Sequence, residues 1–141
     1  MGADMQATGL VTIRSQVSVS ETIERIVTGA TRRGLIVFAR IDHAEGAANA
    51  GTQLHPTELV IFGGPRGGTP LMLDRQTAGI DLPVKALAWE DAEGKVWPTH
   101  NDARWLIERH GLGPQSVDAV DAIAAGLSLL AAEATAPLLP K

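Results

Sequence analysis

The chain contains no cysteine and no tyrosine. The first absence excludes disulfides, thiolate metal sites, iron–sulfur ligation and a cysteine nucleophile together. The second excludes a phenol as general acid or base. Aromatic residues make up 4% of the chain, three Trp and two Phe, so any stacking platform has to be built from tryptophan. Positive charge is not in excess either. Lys and Arg number 12 against 16 Asp and Glu, giving a formal net charge of -4, and the basic residues stand singly or in pairs such as Arg32-Arg33. Without a basic stripe to neutralise a phosphate backbone, nucleic acid is not an expected partner. No apolar run approaches the roughly 18 residues that span a bilayer, so no membrane association is expected. Met1 to Arg14 carries acidic Asp4 where a signal peptide would be basic, and no apolar h-region follows. These absences predict an unprocessed, cytoplasmic protein.

What is present fits one α+β domain over residues 1–141. A hydrophobic fraction of 45% and a charged fraction of 20% are ordinary for a globular chain long enough to bury a core without cross-links. Leu10 to Thr12 reads as a first short strand. Ser18 and Glu21 have capping-box spacing, and Val19, Ile23, Ile26, Val27 and Ala30 then share a helical face that Gly34 ends. Leu35 to Asp42 reads as a buried strand, after which Asp42 caps a short alanine-rich helix closed by Gly51. Those alanines predict close packing against another layer.

Glu58 to Gly63 is the next strand, Gly64 to Gly68 a turn, and Thr69-Pro70 a cap and first helical position for a helix through Arg75. Val84 to Glu90 and Lys95 to His100 form a hairpin around Asp91-Ala92-Glu93-Gly94. Asn101 or Asp102 then caps a helix carrying Ala103, Leu106, Ile107 and His110 on one face and ended by Gly111. A last helix follows Pro114 with a wide apolar stripe from Val117 to Ala131, and the tail from Ala134 onward is expected to be loose. Short connections and an excess of strands over long helices predict a mostly antiparallel sheet with helices on one face. The other face must then be polar, covered by a second subunit, or used as a ligand surface.

Specific residues carry a family resemblance. Phe38-Ala39-Arg40-Ile41-Asp42-His43-Ala44, Ile61-Phe62-Gly63-Gly64-Pro65 with Gly68-Thr69-Pro70-Leu71-Met72, and Gly79-Ile80-Asp81-Leu82-Pro83-Val84-Lys85 resemble the bacterial family known as domain of unknown function 302. Trp89-Glu90-Asp91, Gly94-Lys95-Val96-Trp97 and Asn101-Asp102 add to the likeness, which runs from about Ser18 to Ala132. The resemblance implies a β-α-β(4)-α topology similar to the TATA-binding protein, without DNA binding, and homodimers. In one branch of that family the turn after the third strand looks like Cys-Asn-Pro. Gly63-Gly64-Pro65 stands here, so a thiol-dependent role does not carry over.

Four features are candidates for a site. The glycine-rich stretch Gly63 to Thr69 leads toward a helix start whose free N–H groups favour anions, with Arg66 as added charge. Gly63, Arg66, Gly68 and Thr69 are its ligand-binding candidates, against the plainer reading of a tight turn. It is not a Walker A loop, since no Lys precedes Thr69. His43 stands at a strand end, where it would serve as a base, as a haem or metal ligand, or simply as a hydrogen-bonding corner residue. Asp81 and Lys85 flank the hairpin entry, where they are expected to pair with each other or with a partner subunit, unless Lys85 points into a pocket and holds an anionic or carbonyl-bearing ligand. Trp89 and Trp97 are expected to meet across the hairpin, as core or as a concave wall. His55, His100 and His110 are dispersed, the last placed to complement a helix dipole.

No cofactor is indicated by a motif, and no Ser/His/Asp order or paired-carboxylate motif points to catalysis, which leaves enzymatic activity open. The expected function is a homodimeric small-molecule-binding or sensing protein. A haem or metal protein using His43, or an interaction domain without ligand, is the alternative.

Overall fold

The computed structural model describes residues 8–137. The seven residues before them, which bear on the expected absence of a leader, and the last four, part of the expected loose tail, lie outside the described residues.

Five strands form one antiparallel sheet: β1 (Leu10–Thr12), β2 (Ile36–Asp42), β3 (Thr57–Gly63), β4 (Val84–Glu90) and β5 (Val96–Asn101), in the spatial order β1-β5-β4-β3-β2. Strands β2 to β5 are an up-and-down meander, while β1 pairs with β5 at the far edge. The chain must therefore cross the whole sheet between β1 and β2. Helix α1 (Val19–Arg32) makes that crossing. Its 14 residues span about 21 Å, which matches the roughly 19 Å between the outer strands of a five-stranded sheet. Ser18 caps α1 by accepting the Glu21 N–H at 3.0 Å, a contact worth about 1 kcal/mol.

Helix α1 lays Val19, Ile23, Ile26 and Ala30 on the sheet, and helix α5 (Val117–Thr135) packs beside it with Leu127, Leu130 and Ala134. From the sheet they meet Val60, Phe62, Ala86, Ala88 and Val96. Helices α2 (His43–Asn49), α3 (Pro65–Asp74) and α4 (Trp105–His110) are inserted in the connections, with 3-10 turns at Gln76–Asp81 and Pro114–Ser116. A second cluster, including Leu71, Ala78, Leu106, Leu112 and Val120, ties α3, α4 and α5 together at one end of the sheet. The α+β architecture and its one-sided helical layer are as the sequence predicts.

Four local expectations need correction. Leu35 to Asp42 is not a buried strand: β2 is an edge strand with Ile36, Phe38 and Ile41 exposed and a register shift between Val37 and Ala39. A short apolar run cannot by itself distinguish an inner strand from an apolar edge. Helix α2 buries none of its residues, so its alanines reflect helix propensity and not a tight interface. Helix α3 begins at Pro65 with Gly64 as its cap, which leaves Thr69 and Pro70 inside the helix. Gly64-Pro65 carries the same cap-and-proline signature five residues earlier, and the glycines let α3 close on its neighbours. A Cβ on Gly67 would stand 3.8 Å from Ile123 Cγ1, and one on Gly68 3.3 Å from Leu82 Cδ1. The tail is ordered further than expected, because Ala134 and Thr135 are buried at the end of α5, with the Gln16 N–H donating to the Thr135 carbonyl.

Candidate functional site

Side chains alternate along a strand, so burying Val60 and Phe62 under α1 and α5 forces Leu59 and Ile61 to the opposite side. The pairing register extends this to every strand. Ile41, Leu59, Leu87, Thr99 and Thr12 form one continuous cross-strand row. Thr57, Trp89 and Trp97 form the row on one side of it, and Ala39, Ile61 and Lys85 the row on the other. None of the described helices covers this face, and Leu59, Ile61, Leu87, Trp89 and Trp97 are half-buried.

The two indoles sit opposite one another with ring centroids 6.5 Å apart and tilted by 33°. Their polar edges are satisfied within the chain. Trp89 Nε1 donates to Thr99 Oγ1 at 2.9 Å, Thr99 shares a 2.8 Å hydroxyl bond with Thr12, and Trp97 Nε1 donates to Asp91 Oδ2 at 2.9 Å. The rings consequently offer apolar surface outward. The Arg14 guanidinium lies 5.7 Å from the Trp97 ring centroid, within cation–π range. The expected meeting of Trp89 and Trp97 is observed, on the open face and outside the core.

Asp91, which holds Trp97, also accepts the Glu93 and Lys95 N–H groups. The Trp97 indole bond, followed by these backbone bonds, lowers its carboxyl below the ordinary range. Asp74 is lowered in the same way, first by the Ser116 hydroxyl and then by the Gly113 N–H, and so pins the start of α5 to the end of α3.

The remaining candidates fall at the two ends of the sheet. Gly63 ends β3, Arg66, Gly68 and Thr69 lie in α3, and Asp81 and Lys85 flank the start of β4, which pairs with the end of β3. His43 is at the opposite end, because Asp42 pairs with Glu58 at the start of β3. Five residues of strand separate Glu58 from Gly63, or about 17 Å, so His43 does not share a pocket with the others. His43, Arg66 and Thr69 are exposed.

Asp81 and Lys85 do not pair. Lys85 Nζ donates to the Pro83 carbonyl at 3.0 Å, while Asp81 Oδ2 takes His110 Nε2 at 2.6 Å and Arg109 Nε at 3.1 Å. The C-terminal end of α4 supplies two cationic or hydrogen-bonding side chains closer to Asp81 than Lys85, which points along the open face. His110 therefore has a specific carboxylate partner. Sequence reasoning missed this, and no local spacing signals a pair 29 residues apart.

Among the described residues no three His, Asp or Glu side chains are grouped to hold a metal ion. A void of about 10 Å³ lies in the core beside Phe62, His100 and Leu127, room for one water molecule at most. An open groove of about 630 Å³ runs between α2 and residues 51–56, past Ala48, Leu54 and His55.

The sequence model of the family described as domain of unknown function DUF302 matches residues 11–130. The chain belongs to this family. The DUF302 chain is also similar to solved and curated proteins. A crystal structure of an uncharacterised conserved DUF302 protein from Bacillus stearothermophilus superposes with a TM-score of 0.80 at 17% identity, over 91% of this chain and 99% of that one. At that identity the likeness establishes the fold. Proteins named fluoride-specific ion channel FluC 1 in Brucella suis and FluC 2 in Brucella melitensis are each 55% identical over 118 residues. The match takes in 84% of this chain and 46% and 44% of those proteins, so the chain spans less than half the length of the curated relatives it matches. Among the described residues no helix is long and apolar enough to cross a membrane.

Proposed function

We propose that this DUF302 chain is a dimeric binding and sensing module whose two copies meet through the open faces of their sheets. The observation that carries this reading is the uncovered row Ile41-Leu59-Leu87 beside the Trp89-Trp97 pair, whose indole N–H groups are already satisfied. Contiguous apolar surface of this kind is uncommon on monomers and marks an interface. Five strands of this length present a flat footprint of roughly 24 by 20 Å. Two such faces together bury at most about 1,000 Å², the lower end of what a specific interface needs.

On this reading the small molecule is an anion taken at the start of α3, beside Gly63 and Arg66, with Lys85 at the rim of the dimer face. The similarity to less than half of proteins named fluoride channels supports a second element, in which such a module serves an ion channel by reporting on a small anion.

Sedimentation velocity decides the dimer. The chain is expected to sediment as a dimer at micromolar concentration, and Leu87→Glu as a folded monomer with an unchanged far-ultraviolet spectrum. A monomeric parent chain overturns the reading. Melting temperatures in fluoride, chloride, phosphate and small carboxylates test the sensing element. A rise that Arg66→Ala removes supports it, and no rise with any of them overturns it.

A further inference from the structure

Away from the open face, at the end of the sheet closed by α4, three side chains form a directed hydrogen-bond chain. Asp81 Oδ2 stands 2.6 Å from His110 Nε2, and His110 Nδ1 stands 3.0 Å from Thr77 Oγ1. The roles in this chain follow from chemistry. A carboxylate only accepts, so in a neutral imidazole Nε2 carries the proton and donates it to Asp81. Nδ1 is then the basic nitrogen, and the only hydrogen available to it is that of the Thr77 hydroxyl. Thr77 thus points its proton at a base whose tautomer and ring orientation are fixed by a third group. This is the relation of nucleophile, base and orienting acid that activates a hydroxyl.

The environment matches that role. The His110 side chain is 6% exposed and the Asp81 side chain 15%, which strengthens the bond between them. Thr77 is exposed, and its bond to His110 lies on the solvent side of the pair. Arg109 binds Asp81 through Nε at 3.1 Å and lies 5.0 Å over the Trp105 ring. Its side chain is 46% exposed, and its terminal NH₂ groups make no hydrogen bond to the described residues.

We propose that Thr77 is a nucleophile towards activated carboxylic esters, with His110 as its general base, Asp81 as the positioning residue and Arg109 as the cation for the developing oxyanion. The Thr77 oxygen bonds to the acyl carbon while its proton passes to His110 Nδ1. The bond from that carbon to the alcohol or phenol oxygen breaks, and the leaving group either takes the proton from His110 or departs as its anion, in which case His110 releases the proton to solvent. Water, activated by the same nitrogen, then frees the acid and regenerates Thr77.

p-Nitrophenyl acetate is the probe. Intact and peptide mass spectrometry after brief exposure is expected to find one acetyl group on Thr77, with nitrophenol released in equal amount. Thr77→Val should abolish that adduct, and because the residue is exposed it should leave the melting temperature unchanged. Thr77→Ser should retain it, and His110→Gln should slow its formation about a hundredfold. Asp81→Asn keeps the Thr77 hydroxyl and the imidazole, but its amide can donate to Nε2 and leave the proton on Nδ1, so it should slow acylation at least as much as His110→Gln does. Acetylation confined to lysines or the amino terminus, or an adduct on Thr77 that forms as fast in His110→Gln, overturns the proposal. The outcome is independent of the oligomeric state, so it stands or falls separately from the open-face dimer.

Discussion

The two faces of the sheet are made by alternate residues of the same strands, and they are built differently. On the covered face Ala86 and Ala88 are small and buried beneath α1, and Val60 and Phe62 are 0% and 1% exposed. On the open face the corresponding positions hold Leu87, Trp89, Leu59 and Ile61, larger residues that remain half-buried. A strand that merely faced water would alternate apolar with polar. Here both phases are apolar in the centre, and polarity returns toward the edges as Thr57, the threonine ladder of Thr12 and Thr99, Asn101, Lys85 and the Arg14 guanidinium. The covered face is filled by the chain itself, whereas the open face has the composition of a surface waiting for a second layer.

The largest expected effect contrasts one residue from each face. Phe62→Ala should cost about 3–5 kcal/mol in urea unfolding, because it opens a cavity under two helices. Leu59→Ala, measured at concentrations where the chain is monomeric, should cost about 1 kcal/mol, the value of a side chain only partly removed from water. Equal losses would erase the distinction between the faces.

The glycines sharpen the same contrast. A Cβ on Gly29 of α1 would meet Leu130 Cδ2 of α5 at 2.8 Å, so Gly29→Ala should destabilise by about 1–3 kcal/mol through overpacking. A Cβ on Gly46 of α2 would meet nothing within 4 Å, so Gly46→Ala should gain about 0.5–1 kcal/mol from helix propensity alone. A destabilising Gly46→Ala, read from the same urea midpoints, would reveal an unseen partner on that side.

The smallest effect lies in acid. Asp91, under Trp97 on the open face, and Asp74, in the second cluster, have folded-state carboxyls below the ordinary range. A depressed folded value means that each contributes its stability fully above the unfolded value of about 3.9. That contribution is lost as pH falls through the folded value. Melting temperature plotted from pH 6 down to pH 2 should therefore drop, and Asp91→Asn and Asp74→Asn should each flatten the drop. If Asp91→Asn also weakens the proposed open-face dimer at neutral pH, the indole it holds belongs to that interface.

Legibility from sequence followed the range of the interaction. The Ser18 cap, the apolar stripe of α1, the β4–β5 hairpin and the Gly111 stop are set by neighbours a few residues apart, and all were readable. The edge position of β2 was not, since its apolar residues are compatible with a central strand until the strand order is known. Of the candidate site, the Trp89-Trp97 contact was legible because a hairpin fixes its own register. The partners of Asp81 were not, because Arg109 and His110 come from an element almost 30 residues later, and the nearer Lys85 is the obvious choice in one dimension.

By itself, then, the sequence determined the order of helices and strands and the one-sided packing, because caps, turns and periodicity are local, and its dispersed motifs carried the family. Only the tertiary structure decided three things: that β2 is an edge, that a broad apolar face is left uncovered, and that Thr77, His110 and Asp81 stand in one line. Each depends on which distant segments the fold brings together, and no local preference encodes that choice.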